Sequence, residues 1–129
     1  MINILLVTHG KMAEGMYSSV GMLIGKAENF DFVCFDKDMG QDELKEELDK
    51  RLADVSDGKQ YLIMCDIKGG TPFNVASRYS FKNDNAAVFY GVNLPILIEA
   101  IISREGKSLG QLAEYLEGVS GTTIGLSEI

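Results

Sequence analysis

The chain has 129 residues, of which 46% are apolar and 24% charged, and a formal net charge of −7. That length and balance describe one soluble globular domain, spanning 1–129, large enough to bury a core without metals or disulfides, and exclude a disordered tail or fibrous repeat. The acidic excess argues against binding duplex nucleic acid or anionic lipid, both of which require clustered cations.

Residues 2–7 (Ile-Asn-Ile-Leu-Leu-Val) read as a buried strand followed by the turn Thr8-His9-Gly10. The run is too short for a signal sequence, and no stretch approaches the ~18 apolar residues of a membrane span, so a cytoplasmic location is expected. Helical spacing follows over 12–26, with Met12, Met16, Val20, Leu23 and Ile24 assigned to the inner face. Met12 and Met16 sit just past His9 and are expected in the core. Residues 30–35 form a second strand, whose Asp31 suggests a sheet edge or a first residue facing water. Leu44, Leu48, Leu52 and Val55 define a helix over 41–55, whose charged side is a solvated face. Residues 61–65 are apolar on both faces and read as a central strand. It runs into Asp66-Ile67-Lys68-Gly69-Gly70-Thr71-Pro72, where Thr71 is read as the N-cap and Pro72 as the first residue of a helix reaching Phe81. A fourth strand over 86–90, helices over 95–104 and 108–117, and a short fifth strand over 122–126 complete the chain.

Alternating strands and helices imply a parallel sheet covered on both faces, with any ligand beyond the carboxyl ends of the strands. The loops there carry His9, Asp36–Asp38, Asp66–Thr71 and Gly91–Asn93. His9, the only histidine, could act as a base, a metal ligand or a nucleophile. If the first and third strands are neighbours, Asp66 meets His9 and holds one ring nitrogen as N–H, leaving the other free. Gly69 and Gly70 permit close approach to a helix start bearing the Thr71 hydroxyl, a cradle suited to an anion. The ordinary alternatives are a loop histidine, a polar strand end and a capped tight turn.

Cys34 and Cys65 lie in apolar runs without Cys-x-x-Cys spacing, so buried free thiols are expected and no metal site. Gly106-Lys107-Ser108 resembles the end of a P-loop, but the required earlier glycine is replaced by Ile101. A histidine nucleophile, an orienting carboxylate and an anion cradle, with no cofactor site, point to phosphoryl relay.

Three segments resemble, in family order, the signatures of the mannose-family enzyme IIA domain of the bacterial phosphoenolpyruvate-dependent sugar phosphotransferase system. They are Ile4-Leu5-Leu6-Val7-Thr8-His9-Gly10 with Ala13-Glu14-Gly15; Asp66 with Gly69-Gly70-Thr71-Pro72-Phe73-Asn74; and Gly91-Val92-Asn93-Leu94-Pro95-Ile96-Leu97. The resemblance implies a flavodoxin-like three-layer sandwich of four parallel strands plus a C-terminal antiparallel strand, exchanged in a homodimer. It implies that His9 is phosphorylated through Nε2 and oriented by Asp66, and that Thr71, standing where serine is usual, contacts the phosphoryl group beside Gly69 and Gly70. Lys68 is a less usual choice and is expected to modify the phosphate field or the partner surface. The implied partners are HPr as donor and enzyme IIB as acceptor, with the membrane subunits reached indirectly, no cofactor, and uptake of mannose-class sugars. The end at residue 129 fits a separate subunit. The alternatives are a regulatory phosphorylation domain, a phosphoryl donor for dihydroxyacetone kinase, and a module that binds a small anion.

Overall fold

The structure, a computed structural model, describes all 129 residues. Four parallel strands, β1 (Asn3–His9), β2 (Phe30–Phe35), β3 (Tyr61–Cys65) and β4 (Ala86–Phe89), lie in the order β2-β1-β3-β4. The helices are α1 (Met12–Ile24), α2 (Gln41–Arg51), α3 (Thr71–Lys82), α4 (Leu94–Ser103) and α5 (Leu109–Val119). Strand side chains alternate between two cores. Ile4, Leu6, Leu62 and Met64 pack with α1, α4 and α5, while Leu5, Val7, Ile63 and Cys65 pack with α2 and α3. This is the three-layer, doubly wound arrangement expected from the alternating elements. β3 is central, as its apolar run indicated; β1 is its neighbour, the condition on which Asp66 meets His9; and β2 is an edge, one of the two readings of Asp31. Connections diverge between β1 and β3, so the crevice at their carboxyl ends is where this architecture places ligands.

Several expectations change in detail. His9 is the last residue of β1, paired with Phe35 of β2, and not a residue of the loop beyond. α3 begins at Thr71 with Gly70 as its N-cap, one residue earlier than read, because glycine takes the extended cap backbone as readily as threonine. α2 ends at Arg51, and Val55 falls in a separate 3₁₀ turn, Val55–Asp57. On α1 the buried residues are Ala13 and Val20, with Met16 and Tyr17 packed beside them. Met12, Leu23 and Ile24 are exposed, contrary to the expected inner face. Apolar residues surround this helix, so periodicity favoured the larger side chains, whereas close approach to the sheet selected the small Ala13. Residues 122–126 form no strand in this chain. A 3₁₀ turn, Ser120–Thr122, leads into an unpaired tail with Ile124 and Leu126 exposed. Cys34 is half-buried and Cys65 buried, both as free thiols.

Candidate active site at the carboxyl ends of β1 and β3

Two strand ends define the site. Val7 pairs with Cys65, so the chain leaves β3 at Asp66 beside the point where β1 ends at His9. Asp66 Oδ2 accepts a hydrogen bond from the His9 backbone N–H at 3.0 Å and another from ring Nδ1 at 2.8 Å. A carboxylate can only accept, so Nδ1 carries the proton, and in the neutral ring Nε2 then holds the free lone pair. Asp66 Oδ1 accepts from the Ile67 N–H at 3.0 Å, leaving the carboxylate clamped from both sides. Burial pushes the Asp66 carboxyl up, but the His9 and Ile67 hydrogen bonds and the imidazole beside it prevail and hold it below its ordinary 3.8. The His9 side chain is 43% exposed while Asp66 is 11% exposed, so the pair presents the ring and hides its orienting group.

Neighbouring groups fix the ring further. Phe35 meets it edge-on with centroids 5.8 Å apart. A Cβ on Gly70 would lie 2.8 Å from His9 Cε1 and 3.1 Å from Ile67 Cγ1, so only glycine leaves this ring room. The adjoining Gly69 has φ of +81°, a left-handed turn that aims the chain back toward α3. The first turn of α3 then offers N–H groups of Thr71 and Phe73 without intrahelical acceptors, together with the positive end of the helix dipole. Thr71 is half-buried there. His9, Asp66, Gly69, Gly70 and Thr71 are therefore brought to one strand-end crevice, as expected. Asp36–Asp38 lies beyond the β2 edge and makes no bond to the histidine–aspartate pair.

Two supporting roles, those of Thr8 and of the 91–93 loop, are not read from the sequence, although the loop itself is placed at this edge. Thr8 is fully buried, and its hydroxyl accepts the Ala13 N–H at 2.7 Å, tying the end of β1 to the first turn of α1. The 91–93 loop braces the other side. Gly91 N–H donates to the Asp66 carbonyl and Val92 N–H to that of Cys65, both at 3.1 Å. Asn93 Oδ1 caps α4 through the Ile96 N–H at 3.0 Å. The signal for Thr8 was a hydroxyl at the end of an otherwise apolar strand, which buried polar groups require to be paired.

The arrangement supplies a neutral imidazole with a free, exposed Nε2, a carboxylate that stabilises positive charge on the ring, and an adjoining anion cradle. Cys65 is no competing nucleophile, because burial, aided by the Asp66 charge, pushes its thiol up to about 12. No three His, Cys, Asp or Glu side chains are gathered so as to hold a metal ion.

Residues 3–117 match the profile of the EIIA-man family, described as "PTS system fructose IIA component". The fructose-specific EIIA component of the Bacillus subtilis PTS is 33% identical over 120 residues, covering 93% of this chain and 82% of that protein. The mannose-specific EIIAB component of Escherichia coli K12 is 35% identical over 104 residues; the match takes in 81% of this chain but only 32% of that longer protein. Among solved structures, phosphotransferase component EIIA from Streptococcus agalactiae superposes with a TM-score of 0.90 at 30% identity, covering 98% of this chain and 97% of that one. The mannose/sorbose-specific IIA subunit from Enterococcus faecalis also gives 0.90, at 28% identity, with 98% and 95% covered.

Proposed function

The chain belongs to the EIIA-man family of phosphotransferase proteins in sugar transport, and from that premise we propose that it carries a phosphoryl group on His9 from phospho-HPr to enzyme IIB. The single observation that carries the assignment to His9 is the 2.8 Å bond from Nδ1 to Asp66, which in the neutral ring leaves the lone pair on Nε2 of an exposed side chain. In the transfer, the Nε2 lone pair forms a bond to phosphorus as the bond from phosphorus to the donor nitrogen breaks, and the donor ring keeps that electron pair. The Nδ1 proton stays between His9 and Asp66, whose charge offsets the positive ring. The Thr71 hydroxyl and the free N–H groups of α3, approached over Gly69 and Gly70, receive the phosphoryl oxygens. Passing the group on to enzyme IIB reverses these steps, and no cofactor enters.

In this reading the protein is cytoplasmic, working between two soluble partners, and reaches the membrane subunits for mannose-class sugars only through enzyme IIB. No helix is long and apolar enough to cross a membrane. We also propose a homodimer in which residues 122–126 of each chain pair with β4 of the other. Support comes from the exposed Ile124 and Leu126, from the outer edge of β4, which pairs with no strand, and from a groove of about 530 Å³ beside it lined by Val88, Tyr90 and Ala113. Sedimentation of the full chain against one ending at Thr123 tests it: the full chain should run as a dimer and the shortened one as a monomer.

The relay is tested by intact mass after incubation with phosphoenolpyruvate, enzyme I and HPr. One acid-labile phosphoryl adduct is expected on the wild type and none on His9→Ala. A folded wild type that gains no adduct, while a control acceptor does, overturns the reading.

A further inference from the structure

The loop that faces His9 carries a cation with no role in the mechanism above. Lys68 forms no ion pair with any carboxylate. Its ammonium instead rests 5.6 Å from the centroid of the Tyr90 ring. Tyr90 in turn stands edge-on to Phe73, in the first turn of α3, with centroids 5.9 Å apart. The parking place is thus built from residues at both borders of the anion cradle: Tyr90 precedes Gly91, which bonds to the Asp66 backbone, and Phe73 follows Thr71 by two. Lys68 is also two residues from Gly70, whose Cβ position is 2.8 Å from His9 Cε1. Two residues span at most about 7 Å, so Lys68 belongs to the same short loop that borders the His9 ring.

We propose that Lys68 is a phosphoryl-binding residue held in reserve on Tyr90, which leaves the ring to pair with the dianionic group once His9 carries it. The inference rests on His9 being the phosphoryl acceptor. A half-exposed cation–π contact is weak beside the attraction between an ammonium and a dianion, so the one is readily exchanged for the other. Phosphorylation then does two things at one place: it gains a cation for the bound group and uncovers the aromatic pair Tyr90 and Phe73. Tyr90, a residue 49% exposed even with the lysine on its ring, would become a surface that differs between the loaded and empty carrier.

The test is the equilibrium of the phosphoryl group between HPr and this protein, read by intact mass at low salt, for wild type, Lys68→Met, Lys68→Arg and Lys59→Met. Lys59 lies at the far end of β3, so its loss changes net charge equally without touching the site. Lys68→Met should shift the equilibrium toward HPr about three- to fivefold, the scale of an exposed ion pair. Lys68→Arg should restore it to within about twofold, Lys59→Met should leave it unchanged, and added salt should shrink the Lys68→Met effect. In parallel, the Lys68 side-chain methylene resonances should be ring-shifted in the empty protein and lose that shift on phosphorylation. An unchanged equilibrium in Lys68→Met, an equal shift in Lys59→Met, or methylene resonances indifferent to phosphorylation would each overturn the proposal. Failure of the wild type to gain any adduct would overturn the His9 assignment and this inference with it, a result distinct from an adduct that ignores Lys68.

Discussion

One oxygen of Asp66 holds His9 twice, at the ring through Nδ1 at 2.8 Å and at the backbone N–H at 3.0 Å. The first contact selects the tautomer and the second fixes where the ring is hinged, so a single side chain sets both the chemistry and the aim of Nε2. Asp66→Asn cannot serve both roles at that one position. If the amide oxygen takes it, the NH₂ is turned against the Ile67 N–H; if the NH₂ takes it, that group faces the His9 N–H and donates to Nδ1, which moves the ring proton to Nε2 and removes the attacking lone pair. The variant should fold, lose about 1–2 kcal/mol of stability with the charged hydrogen bonds, and accept phosphoryl groups at least roughly tenfold more slowly. Denaturant melts and single-turnover transfer from phospho-HPr check the two effects separately.

The same carboxylate makes stability depend on pH in a predictable direction. Its folded-state value lies below the ordinary 3.8, so the ionised form is favoured by folding. That contribution is fully present above the unfolded value and is lost as pH falls through the lowered folded value. Wild type should therefore hold its advantage over Asp66→Asn from neutral pH down to about pH 5 and lose it progressively below about pH 4. Melting temperatures of the two proteins at half-unit steps give the comparison; curves that stay parallel to the acid limit would contradict the assignment.

Gly69 and Gly70 are adjacent but constrained for different reasons, and alanine should tell them apart. At Gly70 the backbone, φ −75° and ψ 169°, suits any residue, but the new methyl would sit 2.8 Å from His9 Cε1. The ring must turn away from Asp66, so Gly70→Ala should keep its stability to within about 1 kcal/mol and lose phosphoryl acceptance by roughly tenfold or more. At Gly69 nothing lies within 4 Å of a Cβ, but φ is +81°. Gly69→Ala should cost about 1 kcal/mol in backbone strain and leave most of the transfer rate. Melting curves and transfer rates on the same two proteins settle it; a faster loss of transfer in Gly69→Ala would reverse the assignment.

How much of this the amino-acid sequence discloses depends on whether the determining interaction is local. Apolar runs and their order locate β1, β2 and β3, whereas the meeting of His9 with Asp66 depends on β1 and β3 being neighbours, a pairing that the sheet supplies and the local pattern does not. The fit of Gly70 to the His9 ring is a contact 61 residues apart in the chain, and a glycine carries no pattern that reports what it makes room for. Met12, Leu23 and Ile24 were placed inside because periodicity weighs side-chain size, while the close packing of α1 on the sheet depends on the small Ala13. The expected fifth strand has β character in Thr122, Thr123 and Ile124, but a strand needs an edge to pair with, and within one chain the tail pairs with none.

Arg104 makes the clearest case of a residue whose composition signal is silent and whose loss should be felt far from the site. It is 5% exposed, and its guanidinium donates to the carbonyls of Ile2 and Asn29 at 3.0 Å each and to that of Glu28. These carbonyls lie at the entrance to β1 and in the turn before β2, so one side chain from the end of α4 pins both strand starts, at the opposite end of the sheet from His9. Replacing it by methionine keeps much of the volume but removes the charged donor from three carbonyls, of which that of Asn29 retains the Ile4 N–H, a cost of about 2–4 kcal/mol. For a domain of this length that corresponds to a fall in Tm of about 10 °C. Because the strands run about 20 Å between the two ends, the folded variant should still present His9 to Asp66 unchanged. Thermal melts should therefore show a large loss for Arg104→Met while the extent of phosphorylation at 20 °C or below stays at the wild-type level. A variant that melts normally would mean the three carbonyls find water as readily as they find Arg104, and one that stays folded but no longer accepts the group would mean the two ends of the sheet are coupled.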